Sequence, residues 1–251
     1  MEERKQKEIE YYDKQAENFK SYDFRPKVLN SFRFIYRILK SECKDKKVLD
    51  YGCGKGYHSV RIAKMGGKVT GIDLSFGSLQ IARKLAAKEG VEETTSFLQM
   101  DCEDLKFEDS TFDIVFDGGT FSSLDLDKAM PQIRKVLKKD GKVIAIETFG
   151  HNPLGNLKRK FNRLKEKRTE WAEEHILKTK DIESFKDYFG KVEVKYFHLL
   201  SLFFIPLLKI PLIQIPLIVF EAIDSLLFKI PLFKKYAFKV VIILSDPKKY
   251  A

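Results

Sequence analysis

The chain has 251 residues, 44% of them apolar, which is enough for a sizeable core and excludes a disordered polypeptide. Its net charge of +10 is concentrated late, since residues 151–251 hold 19 Lys and Arg against 11 Asp and Glu; this favours an anionic partner, whether nucleic acid, a lipid surface or an acidic substrate. Three cysteines, Cys43, Cys53 and Cys102, lack metal-ligand and disulfide spacing, so no metal site is expected and free thiols in a reducing compartment follow.

The opening stretch from Met1 to Glu10 is charged and has no apolar run behind it, so it does not read as a secretory signal and the cytoplasm is the expected location. Helical spacing covers 5–20 and 28–39. Strand-like apolar runs then fall at 47–50, 68–73, 95–100, 112–116 and 142–147, with helical patterns between them at 57–65, 75–89 and 126–138. Such alternation predicts a parallel sheet with crossover helices on both faces. Beyond it come a basic run from Lys158 to Arg168, a helix near 179–189, a strand over 191–197 and a last strand over 238–244. Between those two strands, Leu199 to Ile223 is almost wholly apolar, interrupted by Pro206, Pro211 and Pro216 and by Lys209, Gln214 and Glu221.

The first strand runs into Asp50-Tyr51-Gly52-Cys53-Gly54-Lys55-Gly56, and Tyr57 opens a helix. Glycines let the backbone turn tightly and approach a ligand that a Cβ would repel, and the helix start offers free N–H groups. Dinucleotide dehydrogenases use a similar loop, but their third glycine is spaced Gly-x-Gly-x-x-Gly, unlike Gly52-x-Gly54-x-Gly56. Acidic residues then close three further strands: Asp73 with Leu74 after it, Asp101 with Cys102, and Asp117 before Gly118 and Gly119. That strand edge is where ligands bind in open α/β sheets, although any one of these acids could be a solvated strand end.

The loop, the acidic strand ends, the Ser122-to-Val143 passage and the opening Tyr11-to-Ala16 together resemble the class I S-adenosylmethionine-dependent methyltransferases over residues 8 to 197. The resemblance implies an α/β fold with a Rossmann-like seven-stranded mixed sheet, helices on both faces and, in this chain, an apolar insertion between the last two strands. Domains are then expected at 1–40 (lid helices), 41–197 with 237–251 (methyltransferase core) and 198–236 (insertion). It implies S-adenosylmethionine as cofactor, bound by Asp50, Gly52, Cys53, Gly54, Gly56, Asp73, Leu74, Asp101, Cys102 and Asp117. In that scheme Asp73 accepts from the ribose hydroxyls, Asp101-Cys102 meets the adenine and Asp117 lies beside the methyl group. Asp117-Gly118-Gly119-Thr120 is not the Asn/Asp-Pro-Pro-aromatic motif of base amino methylation.

For the acceptor side, His151 in His151-Asn152-Pro153 and His175 in Trp171-Ala172-Glu173-Glu174-His175 follow the fifth strand and could orient an acceptor or take its proton. Alternatively, Asn152 and Pro153 fix a turn in which His151 only caps the next helix. His58 and His198 read as structural.

The insertion is far longer than an ordinary hairpin connection, and its prolines and Lys209 break a single membrane-crossing helix, so short interfacial helices are expected. Lys229, Lys234, Lys235 and Lys239 flank it and could meet anionic headgroups, as could the 158–168 run. The expected partners are a hydrophobic or lipid substrate and, through 198–236, the inner face of a membrane; nucleic acid ranks lower because RNA would explain the charge and leave the apolar segment without a role. A hairpin covering the core and a dimer interface are the rival uses of that segment.

Overall fold

The computed structural model describes residues 2–20, 28–153, 155–156, 169–210 and 212–248, so the 158–168 basic run lies outside the described residues. Strands β1 (Lys47–Tyr51), β2 (Lys68–Asp73), β3 (Thr95–Gln99), β4 (Phe112–Asp117) and β5 (Leu137–Thr148) run parallel. Strand β7 (Lys239–Pro247) enters antiparallel between β5 and β6 (Phe189–Phe197), giving seven strands in the order β3-β2-β1-β4-β5-β7-β6.

The central strands β1 and β4 are buried almost throughout because both faces are covered, and successive residues serve opposite layers. Val48, Ile114 and Ile144 pack with Phe32, Ile35 and Leu39 of α2 (Asn30–Glu42). Their neighbours Leu49, Val115 and Val143 pack on the other side with helices that appear later in the chain. Those are α5 (Leu126–Val136), which buries Ala129, Met130, Ile133 and Val136, and α7 (Thr179–Tyr188), which buries Ile182 and Phe185. The remaining core helices are α1 (Glu3–Glu17), α3 (Tyr57–Ala63), α4 (Phe76–Lys88) and the short α6 (Glu170–Glu174).

Helix α5 stops at Val136, two residues before its apolar pattern does, because Leu137 is buried and pairs with Phe112 at the start of β5. The pairing then shifts register, and a Cβ on Gly141 would lie 2.9 Å from the Asp113 carbonyl oxygen. Glycine permits that close crossing.

Strand register settles where the insertion leaves the sheet. Lys239 faces both Thr148 and Phe197, so the carboxyl ends of β5 and β6 share an edge, and Asp117 closes β4 on it too. Residues 198–238 therefore emerge on the edge that carries the acidic strand ends.

Within the insertion, Ser201–Leu207 forms a 3-10 segment, followed by helices α8 (Gln214–Leu227) and α9 (Pro231–Lys234). None of the described helices is long and apolar enough to cross a membrane. The orientation of α8 reverses the usual rule. Its inward face carries Leu217, Glu221 and Asp224, with Glu221 only 3% and Asp224 1% exposed, whereas Ile215, Ile218, Val219 and Leu226 are more than half exposed on the other side.

The buried acids are satisfied. Asp224 accepts from the backbone N–H groups of Leu199 (3.0 Å), Leu200 (2.8 Å) and Ser201 (3.1 Å). Glu221 accepts from the N–H of Asn30 (2.7 Å) and the guanidinium of Arg33 (2.6 Å), tying α8 to the start of α2.

Candidate active site

All three loop glycines have left-handed backbone, at φ +68°, +50° and +77° for Gly52, Gly54 and Gly56, and each has its own reason to lack a side chain. A Cβ on Gly52 would lie 2.3 Å from Thr120 Oγ1 after β4, and one on Gly56 would lie 2.6 Å from the Ala82 Cβ on α4. Gly54 has open space beside it and lines a cavity of about 240 Å³. The loop can therefore lie close to a ligand while packing on two neighbouring elements.

Gly52, Gly54, Asp73, Leu74, Asp101 and Cys102 all line that cavity, joined by Gly118, Gly119 and Thr120. Four residues expected in direct contact sit behind its walls instead. Asp50 is buried beneath the loop, accepts from the Ser59 hydroxyl and is pushed up to about 7 by burial. Cys53 packs near Gly71, Gly56 starts α3, and Asp117 holds the turn that follows it. They support the wall from behind: Asp50 and Asp117 lie at the ends of β1 and β4, and Cys53 and Gly56 in the loop between β1 and α3.

Asp73 spans the loop and the next helix: one carboxylate oxygen accepts from Gly54 N–H at 2.8 Å and the other from Ser75 N–H at 2.9 Å. Burial raises its pKa, and those N–H groups oppose the rise.

Helix α1 contributes residues that its sequence pattern does not single out: Arg4, Lys5, Glu8, Ile9 and Tyr12 line the same cavity. Lys5 pairs with Asp101 at 2.7 Å, and Arg4 makes a two-pronged contact with Glu103 at 2.6 and 2.7 Å. Glu103 accepts as well from Asp125 N–H at 2.8 Å. Burial alone would raise the Glu103 carboxyl, yet these donors hold it below its ordinary value. At the other end of α1, Asp13 accepts from the Ser75 hydroxyl at 2.6 Å and Gly77 N–H at 3.0 Å. The charge of residues 3 to 5 was visible in the sequence; its acidic partners after β3 were not, since nothing local links them.

Neither His151 nor His175 lines this cavity. His151 Nε2 accepts from Thr179 N–H at 3.2 Å at the start of α7, and burial lowers its pKa. His175 stacks on Trp171 with ring centroids 3.6 Å apart, and Arg4 lies 4.6 Å from the Trp171 ring. His175 and Trp171 line a second cavity of about 280 Å³ that shares Leu124 with the first.

Both remaining histidines are buried and pushed down to about 3, chiefly by desolvation. His58 Nδ1 pairs with the Tyr36 hydroxyl at 2.7 Å, and His198 lies between the Ser31 and Ser201 hydroxyls at 2.8 and 2.9 Å. Among the described residues no group of three His, Cys, Asp or Glu could hold a metal ion.

A family model described as a methyltransferase domain matches residues 42–193. The sterol 4-C-methyltransferase strm-1 of Caenorhabditis elegans is 34% identical over 105 residues, which are 41% of this chain and 31% of that protein. The ubiquinone biosynthesis O-methyltransferase of Pasteurella multocida is 41% identical over 90 residues, 34% of this chain and 37% of that one. The chain thus spans about a third of the length of these curated relatives. Among solved structures, the geranyl diphosphate C-methyltransferase from Streptomyces coelicolor A3(2), in complex with Mg2+, geranyl diphosphate and S-adenosyl-L-homocysteine, superposes with a TM-score of 0.62 at 13% identity, covering 98% of each chain.

With its glycine loop, acidic strand ends and sheet order, the chain belongs to the class I S-adenosylmethionine-dependent methyltransferases. As a member of that family, the chain uses S-adenosylmethionine as its cofactor.

Proposed function

We propose that the protein transfers the methyl group of S-adenosylmethionine to a lipid, lipid-linked or other hydrophobic acceptor at the cytoplasmic face of a membrane. One observation carries this reading: α8 turns its apolar side outward on the edge of the sheet that holds the donor cavity. An apolar face of this extent normally marks an interaction site. Lys229, Lys234 and Lys235 lie beside the exposed Ile230 and Leu232, the arrangement by which an interfacial element meets acidic headgroups. Acceptors named for the relatives, a sterol and geranyl diphosphate, agree with an apolar substrate.

In this reading Asp73 takes the ribose hydroxyls, Asp101 the adenine amino group, and Gly52 and Gly54 admit the backbone to the ligand. When bound, the donor supplies a methyl group on a positively charged sulfur, already a good leaving group. The chain's own task is alignment and exclusion of water, for which α1 closes the cavity with Ile9 and Tyr12. His175 and Trp171 line the adjoining cavity and would face the acceptor there.

Incubation with methyl-labelled donor and separated lipid, RNA and metabolite fractions tests the reaction: label is expected in an apolar fraction, and label in RNA alone or in no fraction overturns it. Sedimentation with anionic vesicles at low salt tests the location. Protein that stays in the supernatant removes the membrane from the account.

A further inference from the structure

The donor cavity and the cavity lined by Trp171 and His175 meet at helix α1. Arg4, in the first turn of α1, is held on the donor side by three hydrogen bonds. Its Nη2 donates to Glu103 Oε1 (2.6 Å) and Oε2 (2.7 Å), and its Nη1 donates to the Ser123 carbonyl (2.8 Å). Lys5 joins the same cluster, 2.7 Å from Asp101 and 2.9 Å from Glu103. Arg4, Lys5, Asp101, Glu103 and Ser123 all line the donor cavity, and the Glu103 side chain is buried. Two cations therefore face two carboxylates where water reaches little, and breaking such a pair leaves a poorly solvated charge behind.

The same guanidinium serves the other cavity. Its carbon lies 4.6 Å from the centre of the Trp171 ring on α6, and the His175 imidazole stacks on that ring at 3.6 Å with the planes 9° apart. An imidazole so close fills one face of the indole, which leaves the other face to Arg4. The indole N–H is buried and meets no hydrogen-bond acceptor among the described residues, so the flat groups on the two faces fix the ring. A second tie runs beside the first: Thr169, which caps α6, donates its hydroxyl to Glu8 of α1.

We propose that Arg4 couples the two cavities as a positioning residue: anchored on the donor wall, it holds the Trp171–His175 stack in place as a wall of the adjoining cavity. A donor that fills the first cavity displaces water from the ion-paired cluster, which strengthens the contacts of Arg4 and steadies the ring it covers. The wall on the acceptor side is then complete only once the donor is in place, so the donor binds first. The coupling takes its meaning from the assignment of the adjoining cavity to the acceptor, but its test needs neither an acceptor nor a membrane.

Trp171 is the single tryptophan of the chain, so its emission reports the stack directly. With the full chain, saturating S-adenosylmethionine is expected to protect Trp171 from quenching by acrylamide. Arg4→Ala should still bind S-adenosylmethionine, though more weakly, and should lose that protection at concentrations that calorimetry shows to be saturating. Arg4→Lys keeps a charge against Glu103 but not the planar fork that reaches Ser123 and covers the ring, so it too should lose the protection, with an affinity closer to the parent's. A parent protein without ligand-dependent protection, or either variant with the parent's full protection, overturns the inference and leaves Arg4 a latch of the donor cavity alone. Should Arg4→Ala fail to fold or to bind, Arg4→Lys decides by itself. Methyl label found in RNA alone would remove the acceptor reading and leave this result standing.

Discussion

Helices α5 and α8 are both two-faced, but they face opposite ways. Helix α5 buries Ala129, Met130, Ile133 and Val136 and leaves its charges outside, as burial of apolar area in water demands. Helix α8 buries Glu221 and Asp224 and leaves Ile215, Ile218, Val219 and Leu226 outside. The acids of α8 are tolerated inside because backbone N–H groups and Arg33 satisfy them. A helix built this way is held to the protein by polar bonds as well as by Leu217 and turns its other apolar residues outward.

The contrast is broken most severely by a charge on the inner face of α5. Ile133→Asp should destabilise the fold by about 3–5 kcal/mol, read by chemical denaturation, since an unpaired carboxylate would enter the core. Asp224→Ala should cost about 2–3 kcal/mol by leaving three backbone donors at 199–201 without their acceptor. An unchanged midpoint would mean that water replaces the carboxylate and that α8 is not anchored this way.

Donor and membrane functions should separate along the same lines. Asp73→Ala is expected to weaken S-adenosylmethionine binding roughly 10- to 100-fold in calorimetry and to leave vesicle sedimentation as it was. Ile218→Asp, on the outer face of α8, should shift stability by less than about 0.5 kcal/mol and leave donor affinity intact while reducing vesicle sedimentation. If Ile218→Asp destabilises as Ile133→Asp does, the exposed face is covered by the protein itself or by a second copy.

Acid sharpens the comparison through the histidines, because His198 sits where the insertion joins β6. Both His58 and His198 are neutral in the fold, pushed from 6.5 down to about 3 by burial. As pH falls from 6.5 toward 3 the unfolded chain takes up protons that the folded chain refuses, so stability present above 6.5 is lost on acidification. Each histidine contributes about 1.4 kcal/mol per pH unit across that window. Thermal denaturation of His198→Gln against the parent at pH 7 and pH 5 should show a smaller acid loss in the variant.

Much of the cavity at the strand ends was legible because its signals are local. Gly52-x-Gly54-x-Gly56 follows a strand and precedes a helix, and Asp73, Asp101 and Asp117 fall at strand ends that alternate with helical patterns. The division between residues that line the cavity and those that brace it was not legible. Asp50 and Asp73 look alike as acids ending parallel strands, and only packing puts Asp50 against Ser59 and Asp73 against the loop. Likewise His151 and His175 look equivalent in sequence, but Thr179 engages the first while the second stacks on Trp171.

The sequence by itself determined the alternating sheet, the glycine turn and the presence of an apolar segment too long for a hairpin, since periodicity and backbone permissiveness act over a few neighbouring residues. Tertiary structure alone decided that Arg4 and Lys5 latch onto Glu103 and Asp101, that Asp117 and Glu147 are buried at neighbouring strand ends, and that α8 turns its apolar side outward on the same edge. Each of these joins residues about 30 to 190 positions apart, or depends on which side of a helix finds partners, and the physical reason is the same: a buried charge is placed by the donors that surround it, and those come from strands and helices that only the folded sheet brings together.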